Sequence, residues 1–246
     1  MVSLDSQRDL EGEFESANIK VINLNISSIF TVVSGIISLV KVVKSWNPDV
    51  IYYWMYHAML FSLAVKILCP KAPVIWGVRH NNLDLKLNKL GTVFIAKFLV
   101  FFSSIPKKII YCSDESMRFH SKVGYKNNRS QLIENGFDSK EFLHKDDFCG
   151  ADIARLKEKY FPLANSDSIL IGCCGRYDPL KRFENFIAAA QILIQQELEN
   201  VVFCLIGEGL PERQQELLEN LPAEQKDFFQ FVGATKDIKE VFPCLD

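Results

Sequence analysis

Short β-rich runs alternate with helical patterns along almost the whole chain, and this alternation restricts it to helices packed on parallel sheets. Parallel neighbours cannot be joined by a hairpin. Each connection must cross over the sheet, and a helix is the usual way to do it. Ile19–Leu24 reads as a strand, followed by an apolar helix over Ser28–Trp46. Asn47-Pro48-Asp49 makes the turn, because proline disfavours helix in the residue before it. A strand over Val50–Trp54, a helix near Ala58–Leu68 and a strand over Pro73–Val78 follow. A polar loop (Arg79–Leu85), a long helix to about Ser103, a strand at Lys108–Tyr111, a helix capped by Ser113 and a strand at Gln131–Ile133 complete the first series.

The pattern then pauses. Residues Asp138–Pro162 are charged and poor in β-formers, with one short helix near Ile153–Tyr160. It resumes with strands at Ser168–Cys173, Val201–Ile206 and Phe228–Val232, separated by helices over Phe183–Gln196 and Pro211–Leu221. The fold class expected is therefore α/β, with two Rossmann-like lobes divided near 143–165: residues 1–143 and residues 144–246. Both lobes read as incomplete. Ile19–Leu24 has no strand and Gly-rich turn ahead of it, and Val241–Asp246 reads as the lead-in to another strand.

Charge and cysteine usage narrow the function classes. The net charge of −2 argues against a general nucleic-acid binder. The halves differ, however: residues 1–143 carry 17 Lys and Arg against 12 Asp and Glu, residues 144–246 carry 11 against 18. A basic first lobe suits an anionic substrate or membrane surface. The seven cysteines are odd in number and scattered, without C-x-x-C or zinc spacing, so neither a disulfide framework nor a structural metal is indicated. That usage fits a reducing cytosol, and the polar, acidic N-terminus is no signal peptide. Ile29–Val43 and Thr92–Ile105 are apolar but fall short of the ~20 residues a span needs, and each contains a lysine. Peripheral attachment at the inner face of a membrane stays open.

In doubly wound folds, ligands bind beyond the carboxyl ends of the strands. Four loops there carry the candidate residues. Gly175-Arg176-Tyr177-Asp178-Pro179-Leu180-Lys181-Arg182 places a glycine, two cations and a helix start together, a combination suited to a diphosphate. It also reads as a solvated basic helix start. Gly207-Glu208-Gly209 follows the next strand and departs from G-x-G-x-x-G, since Glu212 occupies the last position. Arg79-His80-Asn81-Asn82 sets cation, imidazole and amides at a strand end, where a polar substrate would be held. Glu134-Asn135-Gly136 is a turn signal first and a cleft candidate second. His120 reads as a surface or packing residue on its helix, and His57 and His144 carry no signal.

Taken in order, these runs resemble the nucleotide-sugar glycosyltransferases of family 4, which have the GT-B architecture. The matching residues are Asn47-Pro48-Asp49-Val50, Arg79-His80, Ile133-Glu134-Asn135-Gly136-Phe137-Asp138 with Phe142, Gly175-Arg176 with Lys181, Ile206-Gly207-Glu208-Gly209, and Phe231-Val232-Gly233 followed by Asp237-Ile238. The resemblance implies transfer of a sugar from a nucleotide sugar, such as a UDP- or GDP-sugar, to a glycan or lipid-linked acceptor in polysaccharide biosynthesis. It implies retention of configuration and no required metal or cofactor. It assigns Arg176 and Lys181, with Gly175, to the donor diphosphate and His80 to the region of the transferred sugar. Arg79, Asn135, Gly136, Gly207, Glu208 and Gly209 become cleft candidates.

The sequence departs from that family in three places. The Gly-rich opening unit and the second-lobe E-x7-E pair are absent from residues 1–246, and position 182 is Arg where the family commonly has Gly. The first two departures motivate an alternative: a catalytically inactive remnant or a nucleotide-binding module. A nucleotide-sugar epimerase of the same architecture is a further reading, which the G-R-x4-K run argues against.

Overall fold

The computed structural model describes residues 1–4, 11–138, 142, 145–165, 167–196, 198, 200–235 and 237–246. The expected division at 143/144, and His144 with it, lie outside the described residues. The chain forms two compact units, Met1–Asn135 and Gly136–Asp246.

The first unit opens with β1 (Val2–Ser3), α1 (Glu11–Ser16) and β2 (Ile22–Asn23), and β1 pairs in parallel with β2. Ile22 and Leu24 donate their N–H groups to the carbonyls of Met1 and Ser3, both at 2.9 Å. The reading of Ile19–Leu24 as the first strand is thus corrected. A strand precedes it, and its two residues are too few for a period-2 pattern to register in the sequence.

Next come α2 (Ile29–Trp46), β3 (Ile51–Trp54), α3 (Met55–Leu68), β4 (Val74–Val78), α4 (Leu90–Leu99), β5 (Lys108–Tyr111), α5 (Asp114–Val123) and β6 (Ser130–Leu132). Strands β3 to β6 form an all-parallel sheet in sequential order. Asn47 ends α2 in the left-handed conformation (φ 42°), which asparagine tolerates better than most residues. The core gathers Trp76, Val78, Ile109 and Tyr111 from the sheet against Tyr56, Met59 and Val65 of α3 and Ala96 and Leu99 of α4. No helix among the described residues is long and apolar enough to cross a membrane.

The second unit holds α6 (Gly150–Tyr160), β7 (Ile169–Cys174), α7 (Phe183–Ile194), β8 (Val201–Ile206), α8 (Gln214–Leu217), α9 (Ala223–Lys226), β9 (Phe229–Val232) and α10 (Ile238–Val241). Its sheet is parallel with order β7-β8-β9, and all six residues of β8 are buried. One apolar cluster covers each face.

One expectation fails in this unit. The helix expected over Pro211–Leu221 is a 3-10 turn over Pro211–Arg213 followed by the short α8, and the short α9 starts beyond it after Pro222. At the end of the unit, α10 runs into a 3-10 turn over Phe242–Cys244, and Leu245 after it is extended. The side chain of Leu245 lies over Gly172, where a Cβ would meet it at 2.6 Å, and Asp246 donates its N–H to the Leu170 carbonyl at 2.9 Å. A period-2 pattern cannot show this, because Val241 and Cys244 are buried by helical geometry, not by pairing.

Candidate functional site

In the second unit, the loops after β7 and β8 are laced together through their backbones. Gly175 donates its N–H to Ile206 at 2.8 Å, Tyr177 to Glu208 at 2.7 Å, and Gly207 to Val232 at 2.8 Å. Gly207 has φ +150°, and a Cβ there would sit 2.0 Å from the Gly175 carbonyl oxygen. No other residue fits that position. Gly209 is left-handed (φ +76°) and leads into the buried Leu210.

Around this rigid turn the cations are placed. The stem of Lys181 lies over Gly175, with carbons 3.5–3.8 Å from where a Cβ would project. Asp178 caps the 3-10 turn Pro179–Lys181 by accepting from the Leu180 N–H at 2.9 Å, and its other oxygen lies 3.6 Å from Arg176. Arg176 is otherwise open to solvent, its side chain 73% exposed. Among the described residues no carboxylate lies within ion-pair distance of Lys181. Helix α7 then starts at Phe183 without a side-chain cap, so its first N–H groups and positive dipole end remain available. Arg182 holds the cap position at φ 53°, ψ 46°, the left-handed region that favours glycine. Glu208 is exposed. Burial pushes the thiol of Cys174 up to about 11, which keeps it in the inert protonated form.

In the first unit, side chains from separate strand ends converge. Arg79 follows β4 and hydrogen-bonds the side-chain oxygen of Asn135, which follows β6. Its guanidinium stacks 4.5 Å above the ring of Trp54 at the end of β3, while its Nε is buried with no hydrogen-bond partner among the described residues. Trp54 packs edge-on against Tyr52 at 5.4 Å, and the Tyr52 ring occupies the space a Cβ on Gly77 would fill. His80 is half-buried. Its carbonyl accepts from Ser116 Oγ, and its ring meets Tyr56 edge-on at 5.9 Å.

Behind His80, the fully buried His120 sets a second layer. The Ser116 carbonyl can only accept, so His120 Nδ1 donates to it (2.7 Å) and Nε2 accepts from the Tyr56 hydroxyl (2.6 Å). Burial lowers the pKa of His120 and raises that of Tyr56. Asn82 orders the loop itself, accepting from the Asp84 N–H and from Asn88.

The residues expected from sequence thus fall into two sets. Arg79, His80 and Asn135 stand together at strand ends of the first unit. Gly175, Arg176, Lys181, Gly207, Glu208 and Gly209 stand together in the second. Gly136 belongs to neither: it is exposed, a Cβ there would meet nothing within 4 Å, and no left-handed backbone requires glycine. Trp54, Tyr56 and Ser116 escape sequence reasoning, because the apolar run of β3 hides Trp54 and nothing local marks a serine 36 residues after His80. His120 is the packing residue of its two readings.

No family model matches the chain, and no curated protein matches it in sequence. Solved structures do. The Anabaena protein HepE in complex with UDP-glucose superposes with a TM-score of 0.74 at 17% identity, over 96% of this chain and 61% of that one. A glycosyltransferase from Rickettsia africae superposes with a TM-score of 0.76 at 14% identity, over 100% and 62%. The fold is that of the GT-B glycosyltransferases. It is shared more widely: a UDP-GlcNAc 2-epimerase from Neisseria meningitidis superposes with a TM-score of 0.54 at 15% identity, over 98% and 66%. The chain spans about three fifths of the length of the first two structures. Transfer and epimerisation are therefore separated by the site, not the fold.

Proposed function

We propose that this chain carries the donor-binding and sugar-facing elements of a glycosyltransferase, moving a sugar from a nucleotide diphosphate sugar to a glycan or lipid-linked acceptor with retention of configuration. The observation that carries the reading is the laced Gly175/Gly207 turn, which sets Arg176, Lys181 and the uncapped start of α7 around one loop. A departing nucleoside diphosphate gains charge at the bond that breaks. Preplaced cations and free N–H groups stabilise that charge more in the transition state than in the ground state. Lys181 acts as a point charge, and Arg176 exchanges its long contact with Asp178 for phosphate oxygens. The structures of HepE with UDP-glucose and of the Rickettsia glycosyltransferase, similar in fold, support a sugar nucleotide as donor. In the first unit, His80 faces the transferred sugar or acceptor, and Trp54 beside it offers a ring face.

Calorimetry with UDP, GDP and UMP, followed by sugar-transfer assays, tests the reading. We expect Arg176→Ala and Lys181→Ala each to weaken diphosphate binding by about 1.5–3 kcal/mol, roughly ten- to a hundredfold, with UMP already weak in the parent. Equal affinity for UMP and UDP, or variants that bind like the parent, would remove the diphosphate assignment. Binding without transfer would leave a nucleotide-binding module.

The lipid-linked acceptor has its own support. Leu90, Phe94 and Phe101 along α4 and its 3-10 extension are 71–82% exposed, beside the exposed Lys86, Lys89 and Lys97. Apolar rings flanked by lysines suit an anionic bilayer surface. Flotation with phosphatidylglycerol vesicles is expected to carry the protein, and Phe94→Glu to leave it behind. Equal flotation of both would remove this surface from the proposal.

A further inference from the structure

The first unit contains two separate sheets whose unpaired edges line one cavity. The cavity measures about 900 Å³, and its walls include Val2 and Leu4 of the β1 segment and Val50 to Trp54 at β3. Leu39, Val43 and Trp46 of α2 and Phe61 of α3 supply further walls, so the lining is overwhelmingly apolar. Among the described residues, β1 pairs with β2 alone, and β3 pairs with β4 alone.

The direction of the main-chain groups follows from the register. Ile51 donates its N–H to the Pro73 carbonyl, so Ile51 and Tyr53 spend their main-chain groups on β4. In a parallel ladder successive residues face opposite edges. Tyr52 therefore turns both its N–H and its carbonyl to the outer edge of β3. On β1, Met1 and Ser3 serve β2, and Val2 turns its N–H and carbonyl the other way. The residues facing outward on both strands, Val2 and Tyr52, line the same cavity.

An apolar slot flanked by two sets of unpaired amides specifies its occupant. An acyl chain would satisfy the apolar walls but leave the donors and acceptors of both edges dry and unpaired, which is costly for every group. Water would satisfy the edges but not the walls. An extended polypeptide satisfies both, since it carries alternating donors and acceptors at the strand repeat and can project apolar side chains. We propose that this slot is a strand-addition site that takes an extended apolar peptide segment, hydrogen-bonded to the outer edge of β3 and to β1. This inference stands apart from the glycosyl-transfer reading.

The test tethers a strand at the wall of the slot. A Val/Ile-rich segment of about six residues is fused ahead of Met1 in the full chain, through a Gly/Ser linker of about twelve residues whose mean reach of roughly 19 Å allows it to fold back. A second fusion carries proline at alternate positions, which removes main-chain donors. Hydrogen exchange is read at the Tyr52 and Trp54 amides, together with the thermal midpoint. The Val/Ile fusion is expected to slow Tyr52 exchange at least about tenfold and to raise the midpoint, and the proline fusion to do neither. Free Val/Ile peptide added to the unfused chain gives the same readout should a fusion fail to fold. Unchanged exchange with both tethered and free peptide would overturn the proposal. So would decanoate raising the midpoint with Tyr52 still exposed, or protection of Tyr52 in the unfused chain that grows with its own concentration.

Discussion

The two units build their candidate sites in opposite ways. In the second, backbone does the work: Gly207 approaches the Gly175 carbonyl so closely that no Cβ fits on it, and the cations ride on a turn fixed by main-chain hydrogen bonds. In the first, backbone only delivers strand ends. Side chains make the site, with Arg79 spanning Trp54 and Asn135, and with His80 backed by Ser116, Tyr56 and His120. A phosphate carries diffuse charge that backbone amides and flexible cations can meet. A sugar or acceptor hydroxyl needs donors and acceptors set one at a time, which side chains do better.

Gly207→Ala puts that contrast under the greatest stress. The new Cβ would collide with a carbonyl at 2.0 Å, and φ +150° is open to glycine alone. Loss of about 3 kcal/mol is expected, from strain and overpacking together. All three tryptophans lie in the first unit, so the loss is read by hydrogen exchange in β7 and β8. Full protection of both strands would mean that the lacing is not what holds these loops.

Tyr56→Phe is the counterpart in the first unit. It leaves His120 Nε2 buried without its donor, at an expected cost of about 1–3 kcal/mol in unfolding followed by tryptophan fluorescence. The same histidine gives the unit a pH dependence. Its folded pKa is lowered by burial from the ordinary 6.5, so between those two values the unfolded chain holds more protons than the folded one. Stability is present above about 6.5 and is lost as pH falls through that window. His120→Gln should flatten the slope. A parent whose stability is level from pH 7 to 5 would place His120 outside the folding equilibrium.

A weaker effect, of opposite sign, is expected at the cap of α7. Arg182→Gly relieves a left-handed backbone there, offset by the freedom glycine gains in the unfolded chain, for a net gain of about 0.5–1 kcal/mol. A loss instead would show that the Arg182 side chain contributes contacts that outweigh the strain.

Much of the fold is legible in the sequence because its signals are local. The strands over Lys108–Tyr111 and Val201–Ile206 declare themselves in four to six consecutive residues, and Ser113 declares a helix start, confirmed by its bond from the Ser116 N–H. The glycine-cation loop of the second unit is legible for the same reason, since Gly175 to Lys181 lie within seven residues. The features that the sequence hides depend on distant partners. Val2–Ser3 is a strand because β2 pairs with it 20 residues on, and Leu245 packs over the second sheet because Gly172 leaves room for it.

The α/β alternation, the loops that end its strands and the cations at the start of α7 are all written in the order of the residues. They follow from periodicity, turn chemistry and charge over short stretches of chain. Folding in three dimensions adds the rest: Arg79 bridges Trp54 and Asn135, His80 rests on a buried Tyr56–His120 pair, and Val2 and Tyr52 face one apolar slot. Those arrangements are contacts between residues 24 to 64 positions apart, and no local pattern encodes a contact that only the folded sheet creates.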